Sequence, residues 1–422
     1  MKYLTNLVFS MVLLMLFTSS LAAQEIEIGG KYRGEFEAVE QDSSYDHQHW
    51  MNLILEKEFG ASANMHLNLE FNTYDGNNVI PLIQEAYVNY YTDYVDWRFG
   101  KQIISWGSSY EIKPTDYFNP YDLTTINPFE KRLGVIGAQG TYYGPARTEI
   151  SLVYTPFFKE HLIPGKAQSM LMDAAIRGTI GQLNAATPPM VRIISDPGTP
   201  VVYPEVERTI ENTQGGLKLT KRGLLGLDIS VSAYHGRDKL PAVNQKKTRN
   251  SIFLSTMDPA ELDTLATVYI ENPEVTRVGL DLIGSFGGMG VWAEGVHNFY
   301  RPGYLDNSNS IVFGADYKFS NNLYLVGQGL YFQGRSDSEK NINAVMFHAS
   351  KPALSFHEFE LTMLYEFESD SYFIQPQFNY SLSNAVELQF GGTLHDLQGI
   401  QYAQLSSMLI RERLYARISV DF

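Results

Sequence analysis

The sequence predicts an all-β fold: a transmembrane antiparallel β-barrel of eighteen strands, with sixteen as the alternative, and a long outer loop folded inward. Three observations predict it. Apolar and polar residues alternate with period two in one segment after another, the N-terminus has the form of an export signal, and short and long connections alternate between the segments.

The alternation is plainest over the last strand. Leu414, Ala416, Ile418, Val420 and Phe422 alternate with Arg413, Tyr415, Arg417, Ser419 and Asp421. Successive side chains of a strand point to opposite faces, so the first set suits lipid and the second suits water. The same pattern over 26–38, 63–73, 311–319 and 386–394 puts Leu67, Leu69, Phe313 and Leu388 on the lipid face beside Ile418. A soluble sandwich also alternates. Segments of about ten residues match the tilted span of a bilayer. The chain also has 27 Tyr and 24 Phe, many near segment ends as at Tyr90-Tyr91 and Tyr142-Tyr143, where aromatic girdles belong.

The N-terminus opens with Lys2 and continues through the apolar run 7–17 to the small residues Ser20, Ala22 and Ala23, the pattern of a cleaved signal peptide. The apolar run is well below the roughly 20 residues a spanning helix needs. The expected organisation is a signal over 1–23 and one barrel domain over 24–422. Cysteine is absent, which excludes disulfides, thiolate metal sites and a lipoprotein anchor. Loss of Lys2 takes the net charge from −15 to −16, and so acidic a chain is no partner for nucleic acid. A first strand starting near residue 25 leaves no room for an N-terminal plug, against a plugged transporter. The terminal Phe422 resembles the signal read by the barrel assembly machinery. That machinery and outer-membrane lipids are the expected partners, and the bacterial outer membrane is the expected location.

Strand starts fall near 25, 48, 63, 82, 95, 135, 148, 214, 227, 275, 290, 309, 323, 357, 371, 385 and 409, an odd number. Bacterial barrels have even counts. Walking back from Phe422 makes both 323–333 and 357–367 run outward, so an inward strand is missing between them, and Asn343 to Ser350 is the candidate. Tight connections near Gly60, Asp93, Pro145, Gly287-Gly288, Asn321-Asn322 and 381–384 read as periplasmic turns. Those at roughly 107–133, 157–212, 237–273 and 397–408 read as outer loops. A short helix is expected within 165–183, where Met170, Leu171, Met172, Ala174, Ala175 and Ile176 supply an apolar stretch.

The densest segment is 98–132. It holds Gly100-Lys101-Gln102, Trp106-Gly107 and Asp116-x-x-Asn119-Pro120-x-Asp122, with a second Asn-Pro element at 127–130. Asn-Pro starts turns and a following acid caps them, so the loop is expected to be ordered. Trp106, Tyr110, Tyr117, Phe118, Tyr121 and Phe129 carry too much apolar area to leave in water. Irregular backbone cannot face lipid, and a lumen placement follows. The run G-K-Q-x-x-x-W-G followed by D-x-x-N-P-x-D resembles a porin-like family of outer-membrane barrels grouped as a domain of unknown function. Some members of that family are linked to exporters of hydrophobic molecules. The resemblance makes Gly100, Lys101, Gln102, Trp106, Gly107, Asp116, Asn119, Pro120 and Asp122 the family signature. The same residues would equally serve to fasten the loop to the wall.

The functional expectation is an outer-membrane channel for small solutes, selected by size and charge at a loop constriction. Arg98, Lys101, Arg413 and Arg417 are expected to face the acids Glu35, Glu37, Asp116 and Asp122 across it, producing a transverse field. The alternatives are the outer-membrane partner of a lipid or hydrophobic-molecule exporter and a structural or adhesive barrel with a blocked lumen. No hydrolase or metalloprotease motif occurs, so neither enzyme activity nor a cofactor is expected. His47 and His49 could share a strand face, but no third ligand accompanies them, so no metal site is expected.

Overall fold

The computed structural model describes residues 26–39, 44–74, 78–123, 131–162, 192–193, 201–244, 247–248, 263–264, 267–301, 305–336, 339–353, 356–396 and 412–422. The expected signal, the helix within 165–183, the second Asn-Pro element and the loop 397–408 lie outside these residues.

Eighteen strands form one closed antiparallel sheet. They are β1 (Glu27–Val39), β2 (Ser44–Phe59), β3 (Ala63–Tyr74), β4 (Asn78–Tyr91), β5 (Val95–Gln102), β6 (Val135–Gly144), β7 (Thr148–Thr155), β8 (Gln214–Leu224), β9 (Leu227–Arg237), β10 (Glu274–Phe286), β11 (Met289–Tyr300), β12 (Ser308–Lys318), β13 (Tyr324–Phe332), β14 (Ile342–Ala353), β15 (His357–Glu366), β16 (Ser371–Ser381), β17 (Val386–Asp396) and β18 (Arg413–Asp421). Each pairs with the next, and β1 pairs with β18 over Lys31–Val39 to close the barrel. The strand demanded by parity between β13 and β15 is β14, and it pairs with both. The backbone N–H and C=O of Gly30 bond the C=O and N–H of Phe422 at 2.8 and 3.0 Å, so the terminal residue continues the seam.

Turn chemistry sets where strands reverse. Gly287 and Gly288, with φ of +59° and +85°, make the two-residue turn between β10 and β11 that requires positive φ at both positions. Strand starts differ from expectation where the pattern is interrupted. β4 begins at Asn78, four residues early, because it carries Pro81 inside it opposite Phe71, next to a register shift at Asn68/Leu69. β2 begins at Ser44 instead of 48, and β18 at Arg413 instead of 409.

The two faces separate as the period demands. Outward Phe313, Leu394 and Leu414 are 61%, 51% and 70% exposed, while Glu35, Glu37, Glu294 and Gln328 point inward and are buried. Leu67 has the outward parity of its register partner Leu55, yet only 7% of its surface is open, so it adds little lipid contact. Inside the outer loops, Val201–Val202, Ala242–Val243 and Val268–Glu271 make a small three-stranded sheet of their own.

Candidate functional site

The connection from β5 to β6 enters the lumen and lies along the inner wall, with contacts from β6 round to β13. Its two legs are tied at the entrance. The Asn119 side chain accepts from the Ile104 N–H at 2.6 Å and donates to the carbonyls of Gln102 and Leu133 at 3.3 and 2.9 Å. The Pro120 carbonyl accepts from the Leu133 N–H at 2.8 Å. Gln102, wholly buried, donates to the carbonyls of Gly137 and Arg98. Gly100 has a φ of +129°, and a Cβ there would stand 2.2 Å from the Ala86 carbonyl oxygen, so only glycine serves at this kink.

Ile104, Trp106, Tyr117 and Phe118 then bury themselves among Val135, Val153, Tyr234, Val275, Val296 and Tyr300 of the inner wall. The ring of Phe118 meets Trp106 and Tyr234 edge-on at 5.1 and 5.2 Å, the arrangement aromatic quadrupoles favour. The wall provides sockets by omitting side chains. A Cβ on Gly216 would stand 2.9 Å from both Phe118 and Trp106, and one on Gly279 only 2.1 Å from the Tyr117 hydroxyl. That hydroxyl is 3.0 Å from Ser232 Oγ.

The deepest fastening is polar. Glu294 on β11, 1% exposed, accepts four hydrogen bonds from the segment. They come from the N–H groups of Ser108, Ser109 and Thr115 at 2.7, 2.5 and 3.0 Å and from the Thr115 hydroxyl at 2.8 Å. A carboxylate so buried is tolerated only when its acceptor sites are filled. Gly107 lets it come close, since a Cβ there would lie 3.2 Å from both carboxylate oxygens. Asp281, its register partner on β10, accepts from Ser108 Oγ at 3.2 Å, shares the Thr115 hydroxyl proton with Glu294 at 3.0 Å and faces Lys218 at 3.3 Å. Lys218 also donates to the Trp106 carbonyl. At the tip, Gln328 of β13 grips Tyr110 by both backbone groups, accepting from its N–H at 3.1 Å and donating to its carbonyl at 2.8 Å. Tyr110 and Ile112 rest on an apolar stretch of inner wall that includes Val312, Leu330, Ala344, Met346 and Leu364.

The expected charge arrangement across the constriction is corrected by this geometry. Arg417 and Glu35 are register partners on β18 and β1, joined at 2.8 Å, and Arg413 meets Glu37 at 2.7 Å across the same seam. They neutralise each other side by side instead of facing one another across the lumen, because the closing seam makes the first and last strands neighbours. Asp116 and Asp122 do not oppose wall arginines either. Asp116 pairs with Arg132 of its own loop, and Asp122 lies 3.4 Å from Lys131, which also meets Glu70 at 2.5 Å. Burial pushes the Asp116 carboxyl up to about 6, against the pull of Arg132. Arg98 sits four residues from the tight turn at 92–94, donating to Asn89 at 2.7 Å and stacking 4.2 Å over Tyr87. Lys101 donates to the Ile83 carbonyl. Trp106, Gly107, Asn119 and Pro120 come together as the fastening just described.

Away from the inserted segment the wall is a chain of paired charges and amides. Arg417 donates to Gln389 at 2.7 Å, Gln389 to Asn379 at 2.9 Å, and Asn379 to Glu360 at 2.6 Å. At the outer end, Asp238 gathers Arg277, Arg335 and the Tyr300 hydroxyl at 3.1, 3.3 and 2.6 Å. The two guanidinium groups hold its carboxyl well below the usual range despite burial. Glu294, Asp281, Gln328 and the glycine sockets carry no local sequence signal beyond inward parity, which every lumen residue shares, and Asp238, just past the end of β9, lacks even that.

No protein-family model and no characterised protein sequence matches this chain. Among solved structures, its fold is similar to OccD3 (OpdP) of Pseudomonas aeruginosa, with a TM-score of 0.53 at 8% identity over 94% of this chain and 91% of that one. It is also similar to OccK11 (OpdR) of the same organism, with a TM-score of 0.50 at 8% identity over 94% of each chain. These likenesses concern the fold. With the closed eighteen-strand sheet and its apolar outer face, they define the class of protein: a porin-like β-barrel of the Gram-negative outer membrane.

Proposed function

We propose that the barrel is a passive channel for small solutes, with the inserted segment 103–123 setting its limits of size and charge. The observation that carries this reading is the anchoring of an ordered segment inside the lumen by Glu294 of β11, five strands around the wall from the segment's return into β6. A segment fixed at both legs and at its middle narrows the lumen permanently instead of capping it loosely, as a size filter requires. The remaining arc of paired charges and amides offers a hydrated surface.

Single-channel recording in planar bilayers tests the reading. The purified barrel is expected to give discrete steps, and a variant with 108–118 replaced by a short Gly/Ser link is expected to give severalfold larger ones. A folded barrel that gives no steps in either form would remove the channel reading and favour an exporter partner or a blocked structural barrel.

A further inference from the structure

Three histidines share the outward face of the barrel, each where an apolar run on its strand gives way. On β2, Leu55, Leu53 and Met51 lead to His49. On β9, Leu227, Ile229, Val231 and Ala233 lead to His235, and on β11, Met289, Val291, Ala293 and Gly295 lead to His297. Period two gives each histidine the face of those residues, and Met51, Val231 and Phe299 on that face are 39%, 49% and 46% exposed. All three histidines lie toward the end of the barrel that carries the long connections, the outer end of such a barrel.

Each ring is held from the neighbouring strand. Nδ1 of His49 lies 2.8 Å from the Tyr32 hydroxyl, Nδ1 of His235 lies 2.9 Å from Thr276 Oγ1, and Nδ1 of His297 lies 2.7 Å from Asn309 Oδ1. The other ring nitrogen, Nε2, has no hydrogen-bond partner among the described residues in any of the three. A polar nitrogen left unpaired in hydrocarbon is costly, so these rings belong where headgroups begin. Their height agrees. His235 and His297 stand eight residues from Leu227 and Met289, and His49 stands ten from Phe59, beside the tight turns. On a tilted strand that is a rise of about 20–25 Å, the height of the apolar band. The tight-turn end carries another chemistry on the same face: Lys57, Lys221 and Lys351, register partners of Met65, Ile229 and Phe359. Ammonium groups suit the phosphates of ordinary phospholipids. Imidazole nitrogens flanked by threonine and asparagine suit a headgroup rich in hydroxyls.

We propose that His49, His235 and His297 form a recognition belt for the glycolipid of the outer leaflet, their open ring nitrogens hydrogen-bonding the phosphorylated sugars of its headgroup. The belt lies on the outside of the barrel and does its work whether or not the lumen conducts.

Native mass spectrometry of the detergent-purified barrel, titrated with diphosphorylated lipid A or with phosphatidylglycerol, tests the inference. Changing His49, His235 and His297 together to Phe keeps an aromatic ring at each place and removes the nitrogens. That variant is expected to bind lipid A about tenfold more weakly and phosphatidylglycerol as wild type does. Wild-type affinity for lipid A in the folded variant would overturn the belt. An equal loss for both lipids would overturn it too, since the histidines would then act on lipid packing at large and not on the sugar headgroup. The single variants His49→Phe, His235→Phe and His297→Phe carry the same comparison in smaller steps where the triple variant does not fold.

Discussion

Thr115 and Glu294 lie 179 positions apart in the chain and are joined twice, through the threonine N–H at 3.0 Å and its hydroxyl at 2.8 Å. The carboxylate of a wall strand thus completes the hydrogen bonding of a loop that enters between β5 and β6. Replacement by Gln puts an NH2 group where two donors converge, and unsatisfied buried donors cost about 1–3 kcal/mol each. Glu294→Gln is therefore expected to weaken docking of the segment by about 2–4 kcal/mol while the barrel itself stays closed. Hydrogen exchange on peptides covering 103–123 reads this directly. Protection as slow as in the wild type would show that Glu294 is not the anchor.

The sockets make a second prediction. Gly279→Ala places a Cβ 2.1 Å from the Tyr117 hydroxyl, and Gly216→Ala one 2.9 Å from two rings. Overpacking of this kind typically costs about 1–3 kcal/mol. The Tyr117 hydroxyl can retreat only by giving up Ser232, so Gly279→Ala is expected to cost more than Gly216→Ala and to loosen the same segment. The double variant Gly279→Ala/Tyr117→Phe should recover part of the loss, since the clashing atom is gone. Thermal unfolding in detergent compares the three, and no recovery in the double variant would place the strain elsewhere.

The fold was legible in the sequence because a membrane barrel writes itself twice over. Period two fixes which face each residue takes, as at Glu35 and Phe36, and the requirement for an even count exposed β14, whose own pattern is weak. Asn119 and Gly107 were legible as residues that fasten a loop. The partners were not. Arg417 and Glu35 looked like opposed charges because sequence distance hides the closing seam, where the last strand meets the first. Glu294 could not be singled out, since an acid at an inward position reads as a solvated wall until the loop that covers it is placed.

Outward parity gives a third prediction. Ile418 pairs with Gly34 across the seam and with Leu388 of β17 on its other side, and lies on the lipid face four residues from the chain end. Arginine there is expected to cost from about 1 kcal/mol near the interface up to about 2–4 kcal/mol at the bilayer midplane. Its inward neighbour Ser419 is lumen-side, so Ser419→Arg should cost distinctly less. Folding titrations into lipid vesicles measure both. Equal costs would mean that the two faces of β18 are not distinguished by lipid.

The last prediction concerns pH. Asp116 is buried beside Arg132, and burial outweighs the guanidinium, lifting its carboxyl from 3.8 to about 6. Lys113 and Lys239 also pull its pKa down, while Glu294 pushes it up. A folded-state pKa above the unfolded one means that the folded state holds the proton more tightly. The stabilisation is therefore fully present below about pH 4 and is lost as pH rises through about 6. At neutral pH the ionised Asp116 is a net burden on the docked segment, on the order of 1–3 kcal/mol by linkage. Asp116→Asn has no proton to release. Its segment should keep the same protection on both sides of this window, whereas the wild-type segment should become easier to open between pH 4 and 6. Other carboxylates titrate over the same range, so the quantity to measure is the difference between the two hydrogen-exchange profiles for 103–123. Parallel profiles would assign the pH dependence to another group and leave Asp116 with its ion pair alone.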